Sequence, residues 1–366
     1  MNKYNLIAPK ISNQRFFSCL IIMMLALGCN KKKSSSNIKV SVVNDFSFSE
    51  ETKKYLVSLY TQVVDDPVND ELLFTNYRSE VGIVITDYNG EFIQKLGEKG
   101  RGPKEIQSSR YFGTNGKGKV VILDKALASF KEFDRETEEV NIFSYPIKQG
   151  VSVTSRNLTF CKDRWYAGFQ LIGKATLPST PTISVFDKSF NLLDTLGGYD
   201  PFFGGRQDVL QETSYSLDCE NQIIYTVQGK TPKIQSFSTQ SGKSLSSTLT
   251  SPSSFNVSEK FITMVANPQE MSRYLSEEQS ISLHLAQNKA YVFLVFRNDS
   301  GVYKRNRVLN ESEHFVAIYD KETLEFLGEV KVSGAILGAT KRGNLIMLKD
   351  EENLQIQIIQ IVVEGL

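Results

Sequence analysis

The chain has 366 residues, with 42 Lys and Arg against 41 Asp and Glu, two histidines and 40% hydrophobic residues. Near-neutrality supplies no global attraction to nucleic acid or to an anionic membrane surface. The apolar content is ample for a sizeable core, while two histidines give little material for a histidine-based metal site or triad.

Lys3, Lys10 and Arg15 make a positive start, and Phe16 to Leu27 is an apolar run broken only by Ser18 and Cys19. A bilayer span takes about 20 residues, so this shorter run suits the hydrophobic region of a signal peptide. It ends in Leu25-Ala26-Leu27-Gly28-Cys29. That ending resembles the lipobox of bacterial lipoproteins, whose cysteine is acylated and becomes the mature N-terminus; Ala26 stands where the motif prefers Leu. The expected organisation is a signal peptide over 1–28, lipidated Cys29 with a flexible polar tether over 29–37, and one domain over 38–366. Cleavage would remove three cations and leave 39 Lys and Arg against 41 Asp and Glu. The expected location is the cell envelope, on the outer membrane. Lys31-Lys32-Lys33 lacks the acidic residues of some surface-export signals, which favours a periplasm-facing anchor.

Beyond the tether, a polar turn followed directly by an apolar strand recurs. Its copies begin their strands at Leu72, Val120, Trp165, Ile223, Ala290 and Leu345, at intervals of 48, 45, 58, 67 and 55 residues. Hairpin signals follow the copies. The clearest is Ile83 to Phe92, whose Asn89-Gly90 pair suits a two-residue turn. Others turn at Asp134–Thr137, Lys188–Asn191, Gln240–Gly242 and Lys321–Thr323. Six such units predict an all-β, six-bladed β-propeller with four-stranded blades; a pair of β-sandwiches would not explain the six-fold recurrence. The last unit stops after Leu354 to Val363, one strand short. Ile38 to Val43 alternates as a strand should, so it is expected to pair with that C-terminal strand and close the ring. Glu50 to Val64 reads better as a short helix than as a strand, because Tyr55, Leu56, Leu59, Tyr60 and Val63 fall at helical spacing. The inner strand of the first blade is thus left unassigned.

Gly97-Glu98-Lys99-Gly100-Arg101-Gly102-Pro103-Lys104-Glu105 follows the first hairpin. It resembles the Gly-x-x-Gly-x-Gly-Pro-Gly-Glu-[Phe/Tyr] signature of six-bladed β-propeller lipoproteins of Bacteroidetes, relatives of NHL-repeat propellers. Gly97, Gly100, Gly102, Pro103 and Glu105 match, while Lys104 replaces a Gly and Ile106 an aromatic. The resemblance implies fold and export and assigns no activity. The segment reads either as a crossing between blades that needs glycine or as a nest of backbone N–H groups for an anion, flanked by Lys99, Arg101 and Lys104.

No Gly-x-Ser-x-Gly, Cys-x-x-Cys or His-Glu-x-x-His occurs, and both histidines read as structural. Once Cys19 leaves and Cys29 is acylated, Cys161 and Cys219 remain. They hold equivalent positions in adjacent blades, and packed sheets lie about 10 Å apart, so free buried thiols are expected. The longer connections, at 97–107, 170–180, 197–208, 246–280 and 297–313, all belong by repeat arithmetic to one face. Candidate ligand-binding residues there are Arg101, Lys104, Tyr199, Phe202, Arg206, Tyr303, Arg305 and Arg307, because aromatics stack on sugars and arginines pair with carboxylates. The leading expectation is a non-catalytic, lipid-anchored envelope module that binds a glycan, peptide or partner protein and no nucleic acid. No cofactor is expected. The alternative is a metal-dependent hydrolase of gluconolactonase type, holding a divalent cation in the central channel through residues such as Asp87 or Asp124.

Overall fold

A computed structural model describes residues 37–56, 62–75, 81–109, 111–145, 151–171, 176–263, 267, 269–270, 274, 279–299 and 312–364. They build six radial blades. The first comprises Val63–Asp66, Glu71–Thr75, Val81–Asp87 and Phe92–Lys99, and the second Tyr111–Thr114, Lys119–Asp124, Ser129–Asp134 and Val140–Ser144. The third comprises Val151–Cys161, Arg164–Leu171, Ile183–Phe186 and Leu192–Leu196, and the fourth Thr213–Asp218, Ile223–Gln228, Gln235–Ser238 and Ser244–Ser247. Gln279–Gln287, Tyr291–Asp299, Glu313–Asp320 and Phe326–Val332 make the fifth. The sixth takes Ala335–Ala339, Leu345–Asp350 and Gln355–Glu364 from the end of the chain and its outer strand, Asn37–Ser47, from the beginning.

The closing pairing is antiparallel, with Ile38 opposite Val363 and Val42 opposite Ile359. It runs on to Ser47 opposite Gln355, past a bulge at Val43, so the closing strand, Asn37–Ser47, extends beyond both ends of the alternation. Ring closure of this kind pairs an edge that would otherwise be open.

Apolar side chains collect between neighbouring blades. Phe46, Phe48, Leu72 and Phe74 meet Ile346, Leu348 and Ile356 at the seam of blades six and one, and corresponding clusters fill the other interfaces. The second strands are covered on both sides, which explains why Leu72-Leu73-Phe74, Val120 to Leu123 and Val292 to Phe296 are continuously apolar and fully buried. Each such side chain contributes about 1.5–3 kcal/mol. The outer strands, with one face wet, mix exposed and buried positions.

Three expectations need correction. Among the described residues the helix is Glu50–Lys53, capped by the Ser49 hydroxyl, which accepts from the Thr52 N–H, while Leu59 and Tyr60 lie outside the described residues. Val63 instead opens the inner strand of blade one, so its apolar side chain belongs to a blade interface. At Asn89-Gly90 the connection is four residues, Tyr88 to Glu91, rather than two. Asp87 accepts from the Asn89 and Glu91 N–H groups at 2.8 and 2.9 Å, and Gly90 takes a φ of +82°.

The third correction concerns the cysteines. Cys161 and Cys219 form a disulfide, with Cα atoms 5.7 Å apart. A 10 Å spacing holds for sheets packed face to face, but blades converge on the axis. There the inner strands nearly touch: those of blades two and three pair at Phe112 and Asn157, and a Cβ on Gly113 would collide with the Leu158 carbonyl. Equivalent positions at the inner end of adjacent blades are therefore within bonding range.

Candidate functional site

The topology puts all the long connections on one face, where second strands lead to third and each blade crosses to the next. The crossing from blade three to blade four is the best-built of them. Gly197 turns the chain at a φ of +87°, and Tyr199 then drops inward to 1% exposure. Burial pushes its phenol well above the ordinary range, and its hydroxyl has no hydrogen-bond partner among the described residues. Asp200 caps a single 3-10 turn, Pro201–Phe203, accepting from the Phe202 N–H at 3.0 Å. Phe203 is buried edge-on against Tyr199.

Above this floor lies a half-exposed aromatic layer. Phe202 stacks on Phe261 at 5.4 Å between centroids. The exposed Arg206 places its guanidinium 3.7 Å from the centre of the Phe261 ring. Its Nε and Nη2 donate to the carbonyls of Phe203 and Phe202 at 3.2 and 3.1 Å. Two donor nitrogens are thus spent on holding the group flat, and Nη1 has no described partner. A planar cation fixed over an aromatic ring suits a carboxylate beside an apolar or sugar face.

Beneath the layer sits a buried polar cluster that joins three connections. Lys230, from the second-to-third-strand turn of blade four, is 1% exposed and pairs with the fully buried Asp208 at 2.9 Å. Its ammonium also donates to the Lys260 carbonyl and the Tyr274 hydroxyl, and lies 4.4 Å from the centre of the Phe261 ring. Asp208 accepts in addition from the Leu210 and Ile262 N–H groups at 2.8 and 3.1 Å. A buried ion pair is tolerable when its remaining donors and acceptors are met in this way. Phe261 is therefore approached by one exposed and one buried cation.

The expected residues divide accordingly. Tyr199, Phe202 and Arg206 come together, with Tyr199 in the floor and the other two in the layer. Tyr303, Arg305, Arg307 and Cys29 lie outside the described residues. Arg101 and Lys104 are exposed but peripheral, because the glycine-rich segment folds into the cleft between the outer parts of blades one and two. Glu105 and Ile106 pair alongside the outer strand of blade one. Ile106 fills the space a side chain would need at Gly82 and Gly97, and Lys131 donates to the carbonyls of Gly102 and Glu105. The Gly102 N–H, which a nest would offer to an anion, already donates to the Glu105 carboxylate at 2.7 Å. That carboxylate fills the nest from within the chain, so the blade-crossing reading fits and the anion nest does not.

Phe261 and Lys230 were missed by sequence reasoning. Phe261 opens a short, largely apolar run, Phe261 to Ala266, in a long connection, and Lys230 follows an apolar strand at a turn, where lysine is ordinarily solvated; only the tertiary fold unites them. The carboxylates considered for a channel metal do not converge. Asp87 closes a third-to-fourth-strand hairpin, whereas Asp124 accepts from Gln107 and Leu127 N–H groups on the opposite face. Among the described residues no three His, Cys, Asp or Glu side chains are grouped to hold a metal ion.

No family profile and no curated protein matches the sequence. In structure the chain is similar to a member of the DUF4221 family from Bacteroides vulgatus, at 12% identity and a TM-score of 0.65, over 90% of this chain and 100% of that one. It is also similar to a candidate exported protein from Bacteroides fragilis, at 11% identity and a TM-score of 0.55, over 91% of this chain and 97% of that one. At these identities the likeness shows the fold: a six-bladed propeller of a kind found in Bacteroides.

Proposed function

We propose that this protein is a lipid-anchored binding module of the bacterial cell envelope, reading an acidic ligand (glycan, peptide or the acidic surface of an envelope protein) with Arg206 and the Phe202–Phe261 pair. The observation that carries the reading is the guanidinium fixed over Phe261 on a foundation of buried, fully bonded charges. A group that must only solvate a loop needs no such foundation. An acidic ligand would meet a planar donor already oriented, which lowers the ordering cost of binding. The likeness to a candidate exported protein of Bacteroides fragilis is in keeping with export. So is the Cys161–Cys219 bond, since disulfides persist in the periplasm and outside the cell. Anchoring rests on the lipobox-like run ending at Cys29.

Two measurements test this. Cys29→Ala should move the protein from the membrane to the soluble fraction; unchanged fractionation would reject the anchor. Acidic and neutral glycans and peptides should then be titrated against the full chain and Arg206→Ala. An acidic hit should bind at least about tenfold more weakly to the variant, the loss of one charge-assisted contact. Equal affinity, or no acidic hit in the panel, would remove this surface as the binding site.

A further inference from the structure

The opposite face carries short turns, yet it holds a cavity of about 330 Å³ at the seam where the ring closes. Its walls come from two stretches at opposite ends of the propeller chain, residues 43–88 and 340–358. Pro67 and Asp70 lie in the first turn of blade one, Arg342 in the first turn of blade six, and Val43 and Ile358 in the closing strand and its partner. The cavity therefore exists only in the closed ring. Its size falls in the range of small-molecule sites.

Its chemistry is mixed in a definite way. Val43, Pro67 and Ile358 give an apolar wall. Asp65 forms a buried acidic floor; it accepts from the Tyr88 hydroxyl and from the Lys341 N–H at 2.8 Å. Burial raises its carboxyl above the ordinary range against those two hydrogen bonds. At the mouth stand one acid, Asp70, and one base, Arg342, both exposed. Neither is ion-paired with any described residue or with the other. Two opposite charges beside one cavity ordinarily neutralise each other; here both remain available to a ligand.

We infer that this seam cavity binds a small zwitterion with an apolar body, of the class of apolar α-amino acids. The ligand's carboxylate would meet Arg342, its ammonium Asp70 above the Asp65 floor, and its side chain the apolar wall. A dianion would be repelled by Asp65 and Asp70 and a pure cation by Arg342, so both ends of the ligand are read. This site shares no residue with the Arg206 layer, and either can fail without the other.

The test is calorimetric titration of the full chain in detergent with leucine, leucinamide and N-acetylleucine. Leucine should bind saturably at millimolar concentration, and each derivative, lacking one charge, at least about tenfold more weakly. Arg342→Gln should reduce leucine to the affinity of leucinamide, and Asp70→Asn to that of N-acetylleucine, with unchanged melting temperatures. Absence of leucine binding would overturn the inference. So would equal binding of leucine and either derivative, or leucine affinity untouched by both substitutions.

Discussion

The two faces of the propeller are held together by different means. On the short-turn face one local device recurs: the residue at the end of the third strand, or directly after it, accepts two backbone N–H groups of the turn that follows. Asp87, Asp134, Asp187, Ser238 and Asp320 all do this, at 2.8–3.3 Å. Ties between blades then join these turns: Arg135 to Glu71, Lys321 to Asp218, and Cys161 to Cys219. On the loop face the same device is found at Asp350, which accepts from the Glu352 and Asn353 N–H groups at 2.9 and 3.0 Å, but it does not dominate. Order there comes from tertiary contacts made by buried lysines: Lys131 holds the glycine-rich segment through two carbonyls, and Lys230 is the only one of the two that is ion-paired in a cluster joining three connections. Local chemistry repeated in five turns dominates one face, and the Lys230 cluster dominates the best-built part of the other.

The largest effect should come from breaking that cluster. Lys230→Ala leaves Asp208 buried without its cation and should cost about 3–5 kcal/mol, read as a lower denaturation midpoint. The double variant Lys230→Met with Asp208→Asn should recover part of the loss, because no charge is then stranded. If Lys230→Ala proves nearly silent, the loop face is not organised by this cluster and the contrast between the faces fails.

Next is the disulfide, which closes a loop of 58 residues. Cys161→Ser with Cys219→Ser should cost about 2–4 kcal/mol and abolish the sensitivity of the melting temperature to reductant. A wild-type protein indifferent to reductant would mean the inner strands need no covalent tie.

Those two sites also show what the sequence could reveal. The repeat, the hairpins and the closing strand were legible because alternation, polar turns and a missing strand are local signals. The bond between Cys161 and Cys219 was not, because it depends on how closely blades approach at the axis, which spacing along the chain does not encode. Phe190 and Leu324 carry the same lesson. They hold φ values of 61° and 56° in hairpin turns, where a glycine would be expected, and keep them because their side chains are buried between blades. Of the candidate site, aromatics and arginines on the long connections were legible individually. Which of them meet was decided by the Asp208–Lys230 cluster and by the inward fold of the glycine-rich segment.

A smaller effect tests the ties on the short-turn face. Burial works to raise the Asp218 carboxyl, but the Lys321 ammonium and the groups of Asn221 outweigh it and hold the carboxyl below its usual 3.8. A depressed carboxylate contributes stability that is present above that value and lost as pH falls through the lower folded one. Lys321→Met should therefore cost about 1.5–3 kcal/mol at neutral pH, and the gap from wild type should close progressively below pH 3.8. A gap that stays constant into acid would assign the loss to packing of the lysine stem instead of to charge.

The smallest expected effect on folding is the most informative about function. Arg206 is exposed, and it gives up only two carbonyl hydrogen bonds and one stacking contact when removed. An exposed cation–π contact contributes about 0.5–1 kcal/mol, and water can replace the lost donors. Arg206→Ala should therefore lower stability by about 1 kcal/mol or less, far below the Lys230 variant directly beneath it. Two cations on one aromatic ring would then differ several-fold in their contribution to folding, the buried one carrying it and the exposed one remaining available to a ligand. Paired denaturation curves for Lys230→Ala and Arg206→Ala decide the matter. Comparable losses would make Arg206 a structural member of the cluster, and the loop face would lose the feature that marks it as a binding surface.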